Sequence, residues 1–488
     1  MLKPYSFFVL IIWTCSINTA LSQEGDLPSD FLSSDFHKER RQKLRGLLPD
    51  NSVAVFFSNP IRNRANDVDY VYHQDPNFYY LTGYREPHAV LLIFDKMQKT
   101  PAGENYNEII FVQPRNQMQE MWNGRRLGDE GVKNTLAIQY AFNNSEFANY
   151  EVDFGKFAKV MFDDFHNDVR DTDDPADLYD LIDQFKTKTG YPEKSAQTLS
   201  VEPAPQNLDT DLLQAFMAEL RQVKTSDELA LLRKAVDISA IGQIEVMKAM
   251  RPGMSEREVQ GIHEFVFKKY GAEYEGYPSI VGAGHNGCIL HYIENYKPEI
   301  TNDELILMDL GAEYHGYTAD VTRTIPVNGK FSKEQKQIYD LVYAAQEAAI
   351  REVKPGATFQ TLSMTARKVV NEGLAELGII KNAQQPNMYY PHGCCHHIGL
   401  DVHDLGTYNI LEENMAITVE PGIYIPEGSE CDKKWWGIAV RIEDDILVTG
   451  DGYEIMSDKA PRKSEEVEKM MQQPSPLDSF VLPKLDKD

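Results

Sequence analysis

The sequence predicts an α/β N-terminal domain followed by a second domain of α+β class, and three observations carry that prediction. Short apolar runs alternate with helical or loop segments over the first 200 residues. A polar, proline-bearing stretch at 200–212 (SVEPAPQNLDTDL) then interrupts the pattern. Beyond it, capped amphipathic helices flank strand-like runs. In the first half, a basic amphipathic helix over Asp35 to Leu48 leads into the strand Ser52 to Phe57, with further apolar runs at Ala89 to Phe94 and Glu108 to Val112. In the second half, Thr225-Ser226-Asp227-Glu228 supplies a cap and early acid to a helix reaching Met250. Ser255 with Glu258, and Ser332 with Gln335, form capping boxes that open two more helices. Glu304 to Val327 reads as two strands, and Ala416 to Ile425 and Gly437 to Val448 are strand-like as well. The expected domains are 35–212 and 213–465, followed by a loose C-terminal tail, 466–488, that is rich in Pro, Lys and Asp.

The N-terminal end carries a different kind of signal. Lys3, the apolar run FFVLIIWTC (7–15) and small or polar residues ending Ala20-Leu21-Ser22 make the three-part pattern of a signal peptide, 1–22, with export to the periplasm or the outside medium. A membrane span needs roughly 18 apolar residues, and no comparable run follows, so no transmembrane anchor is expected. Lipid attachment at Cys15 is disfavoured because Ile12-Trp13-Thr14 lacks the small residues such processing prefers. Residues 23–34 read as a flexible leader. Of the 488 residues, 75 are acidic and 49 basic, giving a net charge of -26, which argues against a nucleic-acid partner. Cys288, Cys394, Cys395 and Cys431 are too few and too oddly spaced for a disulfide scaffold and are expected as free thiols. A zinc-thiolate site at Cys394 and Cys395 lacks the usual C-x-x-C partner.

The strongest chemical signal is LILMDLGAEYHGYTADVTRTIP, where Asp309 and Asp320 stand eleven residues apart around a turn. If the turn centres on Tyr314-His315 the two acids face each other, with Cβ atoms about 4.5 to 5.5 Å apart; one residue later they become diagonal neighbours on one face. Either way they converge on a half-buried sheet, where mutual repulsion and lost hydration call for a proton or a cation. HGCCHHIGLDVHD then crowds His392, His396, His397 and His403 into twelve residues; imidazole is the commonest metal ligand, but position alone does not select one of the four. Glu420 ends an apolar run before Pro421-Gly422, and Glu443 lies two residues after Arg441, so these last two share a strand face. An oxygen-rich set with one imidazole suits manganese, with cobalt or zinc as alternatives. Two such ions can share a water-derived hydroxide while polarising a carbonyl.

Five ordered blocks, VGAGHNGCILHYIEN, MDLGAEYHGYTADVTRTIPVNGKF, HGCCHHIGLDVHD, ITVEPGIYI and VRIEDDILVT, resemble the aminopeptidase P and prolidase branch of the pita-bread metallopeptidases. The similarity runs from about residue 36 to 471. It implies a pita-bread (creatinase/aminopeptidase-like) fold for the second domain and a dinuclear site, usually active with Mn2+. By motif position, Asp309 looks like the ligand of one metal, Asp320 and Glu443 like the bridging carboxylates, and His396 and Glu420 like ligands of the second metal. The resemblance also implies Glu420 as general base, with His291, His392 and His403 binding substrate or stabilising the transition state. Arg441 would hold substrate or the acidic ligands. Cys394, Cys395 and His397 depart from the usual pattern around His396; His397 is left outside the ligand set.

The block NDVDYVYHQDPNFYYLTGYREPHAVLLIF, with EMWNGRRLG after it, looks more like aminopeptidase P than prolidase. That implies release of an N-terminal residue from peptides whose second residue is proline. Trp122 would match an aromatic that closes a neighbouring subunit's site, implying a dimer or tetramer, or else it is an ordinary aromatic. Prolidase, which cleaves only Xaa-Pro dipeptides, is the alternative. A creatinase-like amidinohydrolase would lack part of the ligand set, and a non-catalytic pita-bread binding module would have lost it.

Overall fold

Ser33 begins the first helix: its hydroxyl accepts from the backbone N–H of Phe36 at 3.2 Å and caps α1 (Ser34–Leu47). The computed structural model describes residues 28–480 and 482, apart from 101–102, 167, 173 and 193–204. The expected signal peptide and the first part of the leader lie outside the described residues. The buried face of α1 carries Phe36 and Leu44 but also His37, Arg40 and Arg41. Arg41 is tolerated there because it donates to Leu81 O (2.8 Å) and pairs with Glu108 (3.1 Å).

The strand β1 (Ser52–Phe57) follows, then a short hairpin of β2 (Asn63–Ala65) and β3 (Val68–Asp69). Next come α2 (Pro76–Thr82), β4 (Val90–Lys99), β5 (Asn105–Val112), α3 (Gln117–Asn123), α4 (Gly128–Thr135), β6 (Ala141–Asn143) and β7 (Lys159–Met161). After α5 (Leu178–Thr189), the short strand β8 (Leu208–Asp209) completes a six-stranded sheet in the order β6-β5-β4-β1-β7-β8. Pairs β1·β4 and β4·β5 are antiparallel, while β5·β6, β1·β7 and β7·β8 are parallel. The centre of the sheet is buried on both faces (Val53 to Phe56, Val90 to Ile93), each full burial contributing roughly 1.5–3 kcal/mol. Part of the expected linker is therefore a sheet edge, held by Asn207, whose amide donates to Phe154 O and Phe157 O.

The second half opens with α6 (Leu212–Gln222), α7 (Ser226–Ala249) and α8 (Glu256–Lys269); the expected cap of α7 proves to be a full capping box between Thr225 and Glu228, and α8 starts in the expected box at Ser255. Small antiparallel sheets follow. They are built from β9 (Tyr274–Glu275), β10 (Ile280–Ala283), β11 (Leu305–Leu310), β12 (Ala312–Tyr314), β13 (Tyr317–Thr318) and β14 (Val321–Pro326), in the orders β10-β11-β14 and β13-β12-β9. The helices α9 (Lys333–Ile350), opened by the Ser332 capping box, and α10 (Phe359–Glu376) pack together. They precede β15 (Ala416–Val419), β16 (Gly422–Ile425), β17 (Ile438–Arg441), β18 (Asp444–Thr449) and β19 (Gly452–Ile455), paired β15-β18-β19 and β16-β17.

The two halves meet through polar contacts as well as apolar ones. Tyr80 donates to Leu220 O at 2.9 Å, Arg221 to Asn77 Oδ1 at 2.7 Å, and His73 Nε2 lies 2.9 Å from Glu313. The tail, expected to be loose from 466, is instead helical in α11 (Ser464–Met471). Val467 and Met471 form an apolar pair at helical spacing, and Glu468 pairs with Lys330 at 2.5 Å and accepts from Phe331 N–H. Two apolar residues among many charges gave too weak a periodicity to read. Among the described residues no helix is long and apolar enough to cross a membrane.

Candidate active site

The hairpin turn falls at His315-Gly316, the later of the two settings the sequence allowed. Tyr314 pairs with Tyr317, and Asp309 lies opposite Thr322. Both turn residues have positive φ (+51° and +88°), the signature of a twist-matched two-residue hairpin. Asp309 and Asp320 are thus diagonal neighbours, and the hydroxyl of Tyr277, from the loop before β10, lies 2.6 Å from an oxygen of each. Gly311 makes the close approach possible, since a Cβ there would sit 1.7 Å from Ala319 O.

Three further segments close around the pair. Glu443 follows β17, its carboxylate accepting from Thr322 Oγ1 at 2.6 Å. Arg441, at the end of β17, donates to Asp309 at 2.5 Å, to Thr322 Oγ1 at 3.2 Å and to the Tyr424 hydroxyl at 2.7 Å. Arg441 and Glu443 therefore reach one site, as their spacing predicted. The loop before β15 brings His396, whose Nδ1 faces His397 O at 3.0 Å, so that Nδ1–H donates to the carbonyl and Nε2 offers its lone pair. That Nε2 lies 3.5 Å from Asp320 and 3.7 Å from Glu420. Backbone bonds Glu420 N–H to Cys394 O and Thr418 N–H to His396 O hold the loop against β15. Ligand atoms of Asp320, His396 and Glu443 lie within 4.8 Å of one another, with Asp309 and Glu420 on either side through Tyr277 and His396.

The electrostatics show what this set requires. Burial, then Asp309 and Asp445, push the Asp320 carboxyl well above the usual range; burial, then Asp320, does the same to Glu443. Glu420 is pushed up to about 8 by burial and by Glu443. Burial also acts on Asp309, but Arg441 and the Tyr277 hydroxyl outweigh it and hold that carboxyl low. One phenolic proton cannot satisfy two ionised carboxylates at 2.6 Å, so the cluster needs bound protons or divalent cations. The donor set, carboxylate oxygens plus one imidazole with its other nitrogen tied down, fits the latter.

The remaining expected residues fall in distinct places. His392 Nδ1 donates to Gly393 O (2.7 Å) and Nε2 lies 2.9 Å from the Tyr424 hydroxyl, while burial and Arg441 lower its pKa to about 4. His403 stacks edge-on to the His396 ring (centroids 4.4 Å apart), and its ring nitrogens make no hydrogen bond among the described residues. Its pKa is lowered by partial burial and by His396 and His291, which places His291 within electrostatic reach; both side chains are exposed. Trp122 is not brought to this site. It stands 80% exposed on α3 beside exposed Met118 and Met121. His397 is buried, its Nε2 3.1 Å from Thr407 O and its ring against Phe359 and Tyr408, so it packs the loop and does not compete for metal. Cys394 and Cys395 are free and stand outside the metal-capable group, and the Cys395 thiol points to Phe359 O. Sequence reasoning missed Tyr277, Tyr424 and Thr322. Thr322 shares strand parity with Asp320 and could have been found; Tyr277 sits in an irregular loop that gives no periodic signal.

Comparison with known proteins agrees with this geometry. Residues 230–450 match the family model described as Metallopeptidase family M24, and residues 37–159 match the Aminopeptidase P, N-terminal domain. A Haemophilus influenzae Xaa-Pro aminopeptidase is 36% identical over 454 residues, covering 90% of this chain and 98% of that protein. The chain belongs to metallopeptidase family M24. An Escherichia coli Xaa-Pro aminopeptidase is 35% identical to this M24 enzyme over the same shares of both chains. Among solved structures, Escherichia coli aminopeptidase P with the inhibitor Pro-Leu superposes with a TM-score of 0.78 at 32% identity, covering 90% of this chain and 98% of that one. A Pseudomonas aeruginosa aminopeptidase gives the same score and identity over 91% and 98%. The M24 chain thus combines an aminopeptidase P N-terminal domain with a pita-bread catalytic domain.

Proposed function

We propose that this enzyme is an Xaa-Pro aminopeptidase, hydrolysing the bond between an N-terminal residue and a penultimate proline. The observation that carries the reading is the convergence of Asp309, Asp320, His396, Glu420 and Glu443, with the carboxyls of Asp320, Glu420 and Glu443 raised, in a chain that also has an aminopeptidase P N-terminal domain. In this reading Asp309, Asp320, His396, Glu420 and Glu443 would hold two ions, with Asp309 on one side and His396 and Glu420 on the other; Mn2+ would fit the oxygen-rich set. When bound, the ions supply a water-derived nucleophile at neutral pH and polarise the scissile carbonyl. Glu420 accepts the water's proton and returns it to the departing proline nitrogen.

The flanking histidines divide the remaining work. His403, with free ring nitrogens beside His396, can donate to the carbonyl oxygen as it gains charge, with His291 further out. His392 is fixed by Gly393 and Tyr424 and walls the substrate side. Arg441 holds Asp309 and Tyr424 in place. Exposed Trp122 is read as a contact to a neighbouring subunit's site in a homo-oligomer, and residues 1–22 as an export signal, checked by sedimentation and by N-terminal sequencing of the mature protein.

The deciding experiment is a metal-resolved assay on a peptide ladder from dipeptide to pentapeptide with proline second. Cleavage of the longer peptides at the first bond is expected. Activity confined to Xaa-Pro dipeptides would make the enzyme a prolidase instead. Glu420→Ala and Asp320→Ala should both abolish turnover, and near-normal activity in either would remove the assigned site.

A further inference from the structure

Among the described residues His403 has no hydrogen bond of its own to fix its ring, so the loop that carries it must do so. That loop, residues 399–406, is anchored by charge. Asp404, 4% exposed, is bonded to the Arg221 guanidinium and to Lys224 Nζ (2.9 Å), and Asp401 accepts from the same guanidinium at 2.8 Å. The other arm of Arg221 donates to Asn77 Oδ1 at 2.7 Å, on α2 of the N-terminal domain. The loop ends are equally constrained: a Cβ at Gly399 would meet Asp404 Oδ2 at 2.2 Å, and one at Gly406 would meet the His397 ring at 2.4 Å. Asp404 N–H also donates to His397 O, and Gln222 accepts from Thr407 N–H just beyond.

Two bases and two acids in this position are not explained by stability. Apolar residues of equal volume would hold a loop as firmly, since the desolvation of buried ion pairs offsets most of their attraction. What a forked guanidinium adds is direction, because its donors fix the angle as well as the distance of each partner. Burial works against ionisation of Asp404, yet Arg221 and Lys224 hold its carboxyl below the usual range, so the anchor stays charged.

We infer that Asp404 is a positioning residue for His403, and that Asn77, acting through Arg221, ties the N-terminal domain's placement to the same loop. The inference rests on the reading of His403 as a group that contacts substrate. It predicts coupling: the anchor matters only while His403 is present to be aimed.

The test is a double-mutant cycle on kcat/KM for an Xaa-Pro tripeptide, using Asp404→Asn, His403→Ala and the pair, with bound metal and melting temperature measured for each. Asp404→Asn alone should lower kcat/KM by about ten- to a hundredfold with metal stoichiometry unchanged, and should cost nothing further in the His403→Ala background. Losses that multiply, or a silent Asp404→Asn, would overturn the positioning role while leaving that of His403 intact. If His403→Ala alone is silent, the reading of His403 fails and the inference falls with it. Should Asp404→Asn not fold, Asn77→Ala replaces it in the cycle: a smaller loss that vanishes without His403 is expected, and a loss that persists there overturns the inference.

Discussion

Tyr277 illustrates how much one hydroxyl can organise. Its oxygen sits 2.6 Å from both Asp309 and Asp320, so it sets the spacing of two groups that would otherwise repel. Tyr277→Phe keeps the ring and removes only that oxygen. Metal affinity is expected to fall by about ten- to a hundredfold, the usual cost of losing a partner behind a ligand, with activity restored at saturating metal. Titration of the metal-stripped variant measures this, and an unchanged dissociation constant would show that the phenol is incidental. This residue was illegible beforehand because nothing in its loop has a period, whereas Arg441 and Glu443 were legible because strand parity is a local rule.

The elements show the same division. The cap at Thr225 and the capping boxes at Ser255 and Ser332 all formed where the sequence placed them, because a cap is settled within four residues. The hairpin register was left between two settings until positive φ at His315-Gly316 decided it. The docking of α1 gives a prediction at this scale. His37 is buried with its Nδ1 2.9 Å from Tyr80 O, and burial lowers its pKa to about 4. In the unfolded chain it titrates near 6.5, so between pH 6.5 and 4 the unfolded state binds the extra proton. The stabilising contribution of neutral His37 is therefore complete above pH 6.5 and lost as pH falls to about 4. His37→Gln keeps a donor for Tyr80 but does not titrate, so its melting temperature should fall less than the parent's over that interval; parallel curves would rule this out. Gly311→Ala should be far more damaging, since the backbone oxygen of Ala319 cannot yield, and loss of soluble protein or of metal binding is expected.

For the whole molecule the largest lever is the acid cluster. Asp320, Glu420 and Glu443 bind protons more tightly folded than unfolded, with Glu420 at about 8. Groups whose pKa is raised by folding stabilise most below their unfolded value and lose that contribution as pH climbs through the folded one. Metal-stripped enzyme should therefore lose thermal stability from pH 6.5 to about 8, a window in which the contribution of His37 is complete and no longer changes with pH. Bound Mn2+ should replace the protons and flatten the slope. A metal-stripped protein whose melting temperature is constant or rising over that window would contradict the account. Overall architecture was legible because composition, caps and strand runs are additive cues; the sheet edge at β8 and the docked α11 were not, because each depends on a partner surface distant in sequence.

That last helix has a bearing on biosynthesis. Chains emerge from the N-terminus at about 5–20 residues per second. Val467 and Met471 leave the ribosome after everything they cover, and Lys330 waits for Glu468, 138 residues later. The second half of the molecule therefore cannot close until α11 is made, and its α7 and α9 surfaces stay unsealed until then. A nonsense codon or a fusion junction placed before Ser464 would leave a nascent protein whose second half is still open.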